Sequence, residues 1–182
     1  MDLATERNNM NKRTFEQSGM EFEEMIERSN LAYDVRGKAI VQKIHTPWKV
    51  KRGYNAKTKK QEIYSAYPDK STVDFGGTAQ GRSIWFDAKR TENKKSFPLA
   101  NIKAHQIDYL VKVHNQGGKA FLLVYSAERN KTWLLWIIQL IDFMNAEQRK
   151  SIPFEWFDLN CKVVQSQNGI MLDYLEIVLE GF

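Results

Sequence analysis

The chain has 182 residues, 42% hydrophobic and 27% charged, with a net charge of +5; this is the profile of one soluble globular domain rather than a disordered chain. A single cysteine, Cys161, excludes a disulfide-stapled scaffold, a Cys-rich zinc site and a Cys-x-x-Cys redox pair. The charge is uneven: residues 35–103 hold 16 Lys and Arg against 5 Asp and Glu, a net of +11, while the other 113 residues carry a net of −6, so the basic half is expected to meet a polyanion.

Residues 1–14 are polar and aperiodic and read as a flexible arm, without the apolar core of a signal peptide. From about Glu16 to Arg36, Met20, Phe22, Met25, Ile26 and Tyr33 fall near helical spacing, with Gly37 as a stop. Ala39 to Ile44 reads as a strand. His45 to Lys60 contains no acid, and its Pro47, Gly53 and Asn55 argue for a protruding loop or ribbon. Gln61 to Tyr67 is strand-like. Thr72 to Phe75 and Ser83 to Lys89 are expected to form a hairpin around Gly76-Gly77 and Gly81.

Residues 90–98 read as a basic loop, and Leu99 to Asn115 as a helix closed by Gly117-Gly118. Lys119 to Ser126 is a near-continuous apolar run, as in a central strand covered on both faces. Thr132 to Ile138 is expected to be a further strand, with a short helix opening at Leu140 to Met144; residues 172–179 fit strand or helix equally. The longest apolar stretch, Trp133 to Ile138, falls far short of a membrane span. The whole predicts a mixed α/β core, soluble and cytoplasmic, with one basic protrusion.

The sharpest chemical signal is Asp74, followed after twelve residues by Asp87-Ala88-Lys89. Strand alternation puts Ile84, Phe86 and Ala88 on one face and Trp85, Asp87 and Lys89 on the other. Two carboxylates on adjacent strands can hold a hard divalent cation, and a lysine on the same face can orient water or balance charge on a phosphate oxygen. Alternating acids and lysines on an exposed strand are commoner than nuclease sites, so spacing alone leaves both readings open. Three features favour chemistry: the hairpin brings two like charges together, which a cation would relieve; the motif lies in the basic half; and Glu23 in the first helix offers a third carboxylate. His45, His105 and His114 lack the close spacing of a zinc site; His105 reads as a structural helix-start residue more readily than as a general base. Trp133 and Trp136 read as core or dimer surface, and Cys161 as a small buried hydrophobe.

The segments STVDFGGTAQGRSIWFDAKRTENKKSFPLANIKAHQIDYL (residues 71–110) and GMEFE (19–23) resemble RecU-type Holliday junction resolvases of the PD-(D/E)xK nuclease superfamily. The resemblance extends more weakly from Gly19 to about Met144, and LDYLEIVLEGF at the end is also similar to that family. It implies a restriction-endonuclease-like mixed β-sheet flanked by helices, within a single nuclease domain at residues 15–182. A basic stalk is inserted at about residues 46–68. It further implies a homodimer using Mg²⁺, with Mn²⁺ as a substitute, to cut branched DNA at four-way junctions during recombination and repair. Recombinase or branch-migration proteins would be further partners, and the nucleoid its location. On this resemblance Asp74, Asp87 and Glu23 hold the metal, Lys89 serves the attacking water, and Gln106 lines the site. Lys49, Lys51, Arg52, Lys57, Lys59 and Lys60 of the stalk neutralise phosphates, Tyr67 stacks on unpaired bases, and Arg82 contacts phosphate. Two departures stand out: Asp87 replaces the family's usual Glu, and Val73 rather than proline precedes Asp74. The rival readings are a related nuclease for other DNA structures and a junction-binding accessory protein without activity.

Overall fold

The structure, a computed structural model, describes residues 21–45, 48–55, 57–68 and 72–181; the expected N-terminal arm and the first residues of the expected opening helix lie outside them. Helix α1 occupies residues 21–35. It buries Phe22, Ile26 and Tyr33 on one stripe and ends where Gly37 adopts a φ of 64°, with the amides of Gly37 and Lys38 bonded to the carbonyls of Asp34 and Tyr33. Strands β1 (Ile40–Lys43), β4 (Phe75–Ala79), β5 (Arg82–Thr91), β7 (Lys119–Ser126), β8 (Lys131–Trp136) and β10 (Lys162–Val164) form one six-stranded sheet in the order β1-β4-β5-β7-β8-β10. Every neighbouring pair is antiparallel except β5 and β7. That parallel pair is joined through helix α2 (Ala104–Asn115), the crossover that parallel strands require.

Two apolar layers flank the sheet. On one side α1 and helix α5 (Leu175–Glu180) pack Phe22, Ile26, Tyr33, Tyr174, Leu175 and Val178 against Phe75, Phe86 and Phe121. Phe86 stacks between Phe75 and Phe121 at centroid distances of 5.0 and 4.8 Å. On the other side α2, helix α3 (Ile137–Glu147) and helix α4 (Phe154–Asn160) pack Leu110, Leu140, Phe143, Phe154 and Phe157 against Leu122, Val124 and Trp133. This is the expected mixed α/β sheet flanked by helices. β7 is buried along its length save for a half-buried Tyr125, as a central strand should be.

Among the described residues, strands β2 (Trp48–Asn55) and β3 (Lys60–Pro68) pair only with each other, as an antiparallel ribbon with an irregularity between Lys51 and Arg52. The ribbon leaves the sheet between β1 and β4, and the amide of Ile44 donates to the carbonyl of Asp74 at 2.7 Å across its root. A small sheet of β6 (Ser96–Pro98) and β9 (Ser151–Pro153) completes the chain. Among the described residues no helix is long and apolar enough to cross a membrane.

Four expectations of local structure are corrected. Gly76 and Gly77 lie within β4, and the turn is Gln80-Gly81; glycine is needed at Gly77 because a Cβ there would overlap the β1 backbone at Ile40 and Val41. The basic loop after Lys89 is shorter than expected, since β5 continues to Thr91 and β6 begins at Ser96. The helix expected from Leu99 is a 3₁₀ turn (Leu99–Asn101) followed by α2, because Ile102 and Lys103 stay extended where Ile102 enters the core. The strand expected to Ile138 stops at Trp136, whose amide donates to Gln139 Oε1 at 3.0 Å and opens α3. The undecided segment at 172–179 contains the start of α5.

Candidate active site

Asp87 sits in the middle of β5, opposite Leu122 of β7, and is fully buried. Its neighbours Phe86 and Ala88 face the α1 layer, so its own side chain faces α2. There the Gln106 amide nitrogen donates to Asp87 Oδ1 at 2.7 Å. Gln106 is held in turn by α2: its Oε1 accepts the Lys103 amide at 3.1 Å, closing the helix start. Lys89, two residues along the same strand face, forms an ion pair with Asp87 Oδ2 and keeps only 15% of its side chain exposed.

Asp74 precedes β4 and lies opposite Asp87 across the hairpin, because Phe75 pairs with Phe86. Its Oδ2 accepts the amide of Ala88 at 2.9 Å. Asp74 is thus tied by its side chain to β5 and by its carbonyl to the root of the ribbon. Burial is the main cause that pushes the Asp87 carboxyl up to about 7; Lys89 pulls it down, and the charge and hydrogen bonding of Asp74 push it up again.

This donor set fits a hard divalent cation. It offers carboxylate oxygens and presses two like charges together, with only the Lys89 ammonium set against them at Asp87 Oδ2. Among the described residues no group of three or more His, Cys, Asp and Glu gathers, so protein ligation would come from the Asp74–Asp87 pair. Mg²⁺ commonly uses one or two carboxylates and completes its shell with water and phosphate oxygens.

The other expected site residues are distributed as follows. Gln106 lines the site. Glu23 does not join the carboxylate pair: its Oε2 lies 2.9 Å from Lys43 Nζ, which also reaches Glu27 Oε1 at 2.9 Å. Partial burial pulls Lys43 down, but its hydrogen bonds to Glu23 and Glu27, with their charges, prevail and push it up to about 12. Arg82 starts β5 five residues before Asp87, roughly 17 Å along the strand, exposed and near enough to Lys119 to help lower that ammonium's affinity for its proton, behind burial as the main cause. It does not meet the carboxylates. Arg52, Lys57, Lys59 and Lys60 are exposed on the ribbon. Lys49 and Tyr67 are backbone partners across it, and their side chains, with that of Lys51, lie outside the described residues.

Trp133 is core, bonded through Nε1 to Asp158 at 3.2 Å, and burial pushes the Cys161 thiol up to about 12, which suits an inert hydrophobe. Two contributors carry little signal of this role in the sequence. The Ala88 amide that holds Asp74 is backbone and leaves no residue signal. Lys43 was legible only as one of many lysines; Glu23 and Glu27, one helical turn apart, were the available hint.

The family model for Recombination protein U, RecU, matches residues 17–180 of this chain. The Holliday junction resolvase RecU of Streptococcus gordonii is 34% identical over 166 residues, covering 90% of this chain and 83% of that protein. Its counterpart from Oceanobacillus iheyensis is 35% identical over 170 residues, covering 91% and 87%. The solved structure of Archaeoglobus fulgidus Hjc, a Holliday junction resolvase, aligns with a TM-score of 0.47 at 11% identity, covering 91% of this chain and 98% of that one.

Proposed function

The chain belongs to the RecU family, and from that membership we propose that it is an endonuclease that resolves four-way DNA junctions by Mg²⁺-dependent phosphodiester hydrolysis in recombination and repair. The observation that carries the chemistry is the buried Asp87 carboxylate, pressed against Asp74, bonded to Gln106 and paired with Lys89. A Mg²⁺ ion held by Asp74 and Asp87 would lower the pKa of bound water and offset charge on the phosphate oxygens. Gln106 fixes one Asp87 oxygen through a helix that is itself capped, so the carboxylate is aimed before substrate arrives. The Ala88 amide does the same for Asp74. Lys89 is then drawn from its ion pair toward the water and the non-bridging phosphate oxygen, where its ammonium stabilises developing charge.

The ribbon supports the choice of substrate. It carries Arg52, Lys57, Lys59 and Lys60 away from the sheet on a self-paired hairpin rooted at Asp74, a shape that enters the open centre of a four-way junction more readily than it follows a linear groove. Phosphate contacts of this kind position the protein without reading sequence. The chain acts as a homodimer, since a junction needs paired nicks on opposing strands and two-fold symmetry supplies two equivalent sites. It works in the cytoplasm at the nucleoid, alongside recombinase and branch-migration proteins.

The test is a synthetic mobile junction incubated with the chain, with and without Mg²⁺, in competition with linear duplex. Paired nicks that need Mg²⁺ and persist under excess duplex are expected. Equal cutting of linear DNA would reassign the substrate, and junction binding without cleavage would make the chain an accessory protein.

A further inference from the structure

We propose that Glu23 is a positioning residue rather than a metal ligand: with Lys43 and Glu27 it splints the end of strand β1 and so holds Asp74 in place. The inference rests on the endonuclease reading above. The layering of the sheet separates Glu23 from the metal-holding pair. Phe22, its neighbour on α1, packs into the layer that contains Val41, Phe75 and Phe86. Lys43 lies two residues after Val41 and shares its face. Asp87 alternates with Phe86 and points to the opposite layer, where α2 supplies Gln106.

The end of β1 needs such a support. Among the described residues β1 is the edge of the six-stranded sheet and is hydrogen-bonded only to β4, which it leaves at Lys43, opposite Phe75. The next residue, Ile44, donates its amide to Asp74 at 2.7 Å, and beyond it the chain departs into the ribbon. Ends of edge strands open locally at little cost. The Lys43 ammonium, 2.9 Å from a carboxylate on each of two successive turns of α1, clamps this end from the other side. The clamp acts one residue from the bond that sets the Asp74 backbone. Because Glu23 and Lys43 are about one-third exposed, the pair contributes little to global stability; its effect is on where Asp74 sits.

Calorimetric titration with Mg²⁺, single-turnover cleavage of a four-way junction and thermal melting would be run on the full chain. The set comprises the wild type, Glu23→Gln, Lys43→Met, Asp74→Asn and the exchange Glu23→Lys with Lys43→Glu. The exchange rebuilds the 23–43 pair with its charges reversed, and the lysine at 23, which also faces Glu27 one turn on, screens the carboxylate at 43 from that of Glu27. Glu23→Gln and Lys43→Met are expected to bind Mg²⁺ within about twofold of wild type, whereas Asp74→Asn loses at least about tenfold. Both are expected to cut roughly tenfold more slowly at unchanged junction KM and unchanged melting, with part of the rate restored by the exchange. A loss of Mg²⁺ affinity in Glu23→Gln matching that of Asp74→Asn overturns the proposal. So does an exchange that restores nothing, or an unaltered rate in both single variants. Should the wild type cut no junction, the endonuclease reading fails by itself, and the Mg²⁺ titrations still decide whether Glu23 is a ligand.

Discussion

Gln106 holds Asp87 by a 2.7 Å hydrogen bond while its other amide atom closes the start of α2. One side chain therefore ties a helix cap to a fully buried carboxylate, and the orientation of Asp87 is inherited from the fold rather than from the loops around it.

Replacing Gln106 by alanine should remove both bonds. The cap is worth about 1 kcal/mol, and a hydrogen bond to a buried charged group about 1.5–3 kcal/mol. Shared between the two states of Asp87, this predicts a melting temperature lower by several degrees and Mg²⁺ affinity weaker by about 10–100-fold. Thermal melts with and without Mg²⁺ separate the two effects. A variant that melts lower yet binds Mg²⁺ normally would mean that Gln106 serves the helix alone.

The Asp87 carboxyl, pushed up mainly by burial to about 7, makes a prediction with a definite sign. Its folded-state pKa lies above the ordinary 3.8, so its protonated form favours folding; that contribution is fully present below about pH 4 and is lost as pH rises through about 7. Without metal, Asp87→Asn should therefore melt above wild type at pH 8, with the gap closing toward pH 5. Mg²⁺ must displace the proton, so wild-type affinity should rise up to about tenfold per pH unit below 7 and level off above it. A pH-independent Mg²⁺ affinity between pH 5.5 and 8 would contradict a raised carboxyl.

Lys89 and Asp74 should separate chemistry from binding. Lys89→Met removes a cation from the reacting phosphate and is expected to lower the single-turnover rate by on the order of 10²–10³-fold. Asp74→Asn keeps an oxygen to accept the Ala88 amide but weakens the metal site, so cleavage should vanish. In both variants gel-shift affinity for the junction should stay near wild type, since neither residue lies on the ribbon. Normal cutting by Asp74→Asn would remove it from the site.

What was legible beforehand follows from the length scale of each signal. Strand alternation from Ile84 to Lys89 is set by neighbouring residues, and it correctly placed Phe86 in the core and Asp87 against Lys89. The apolar run at 119–126 likewise identified a central strand. The layer that Glu23 occupies depends on how α1 packs across the sheet, which spacing along the helix does not contain. The glycines of β4 read as a turn because their causes lie on other strands: the backbone of β1, more than thirty residues earlier, for Gly77, and the ring of Trp85 on β5 for Gly76. Arg82 lay near the site in sequence and sits far along the strand, since each strand residue advances about 3.3 Å.

Those two glycines give a stability test. A methyl at Gly77 would overlap the Ile40 carbonyl and Val41 Cα, both backbone, whereas at Gly76 it would meet the ring of Trp85, a half-buried side chain rather than backbone. Gly77→Ala should cost about 1–3 kcal/mol or more, lowering the melting temperature by roughly 2–4 °C per kcal/mol. Gly76→Ala should cost less. Equal melting of the two variants would place the strain elsewhere than at the β1–β4 contact.

The ribbon gives the last prediction. Lys57, Lys59 and Lys60 are exposed at its tip, where Lys57 and Thr58 amides are gathered by Asn55 Oδ1 at 2.9 and 3.4 Å. Asn55 holds the tip through these two bonds, and an alanine at 59 keeps the Cβ that the left-handed turn there already accommodates at φ 51°, so changing all three lysines to alanine should leave melting nearly unaltered. If each neutralises one phosphate, the slope of log K against log salt should become shallower by about 0.9 per contact, nearly 3 in all. Affinity for a four-way junction should then fall well over tenfold in low salt, while linear duplex, which offers no open centre for the ribbon, loses much less. The ratio of the two affinities is the decisive quantity. If duplex and junction binding weaken in parallel, the lysines supply general attraction, and junction preference must come from the spacing of two active sites in a dimer.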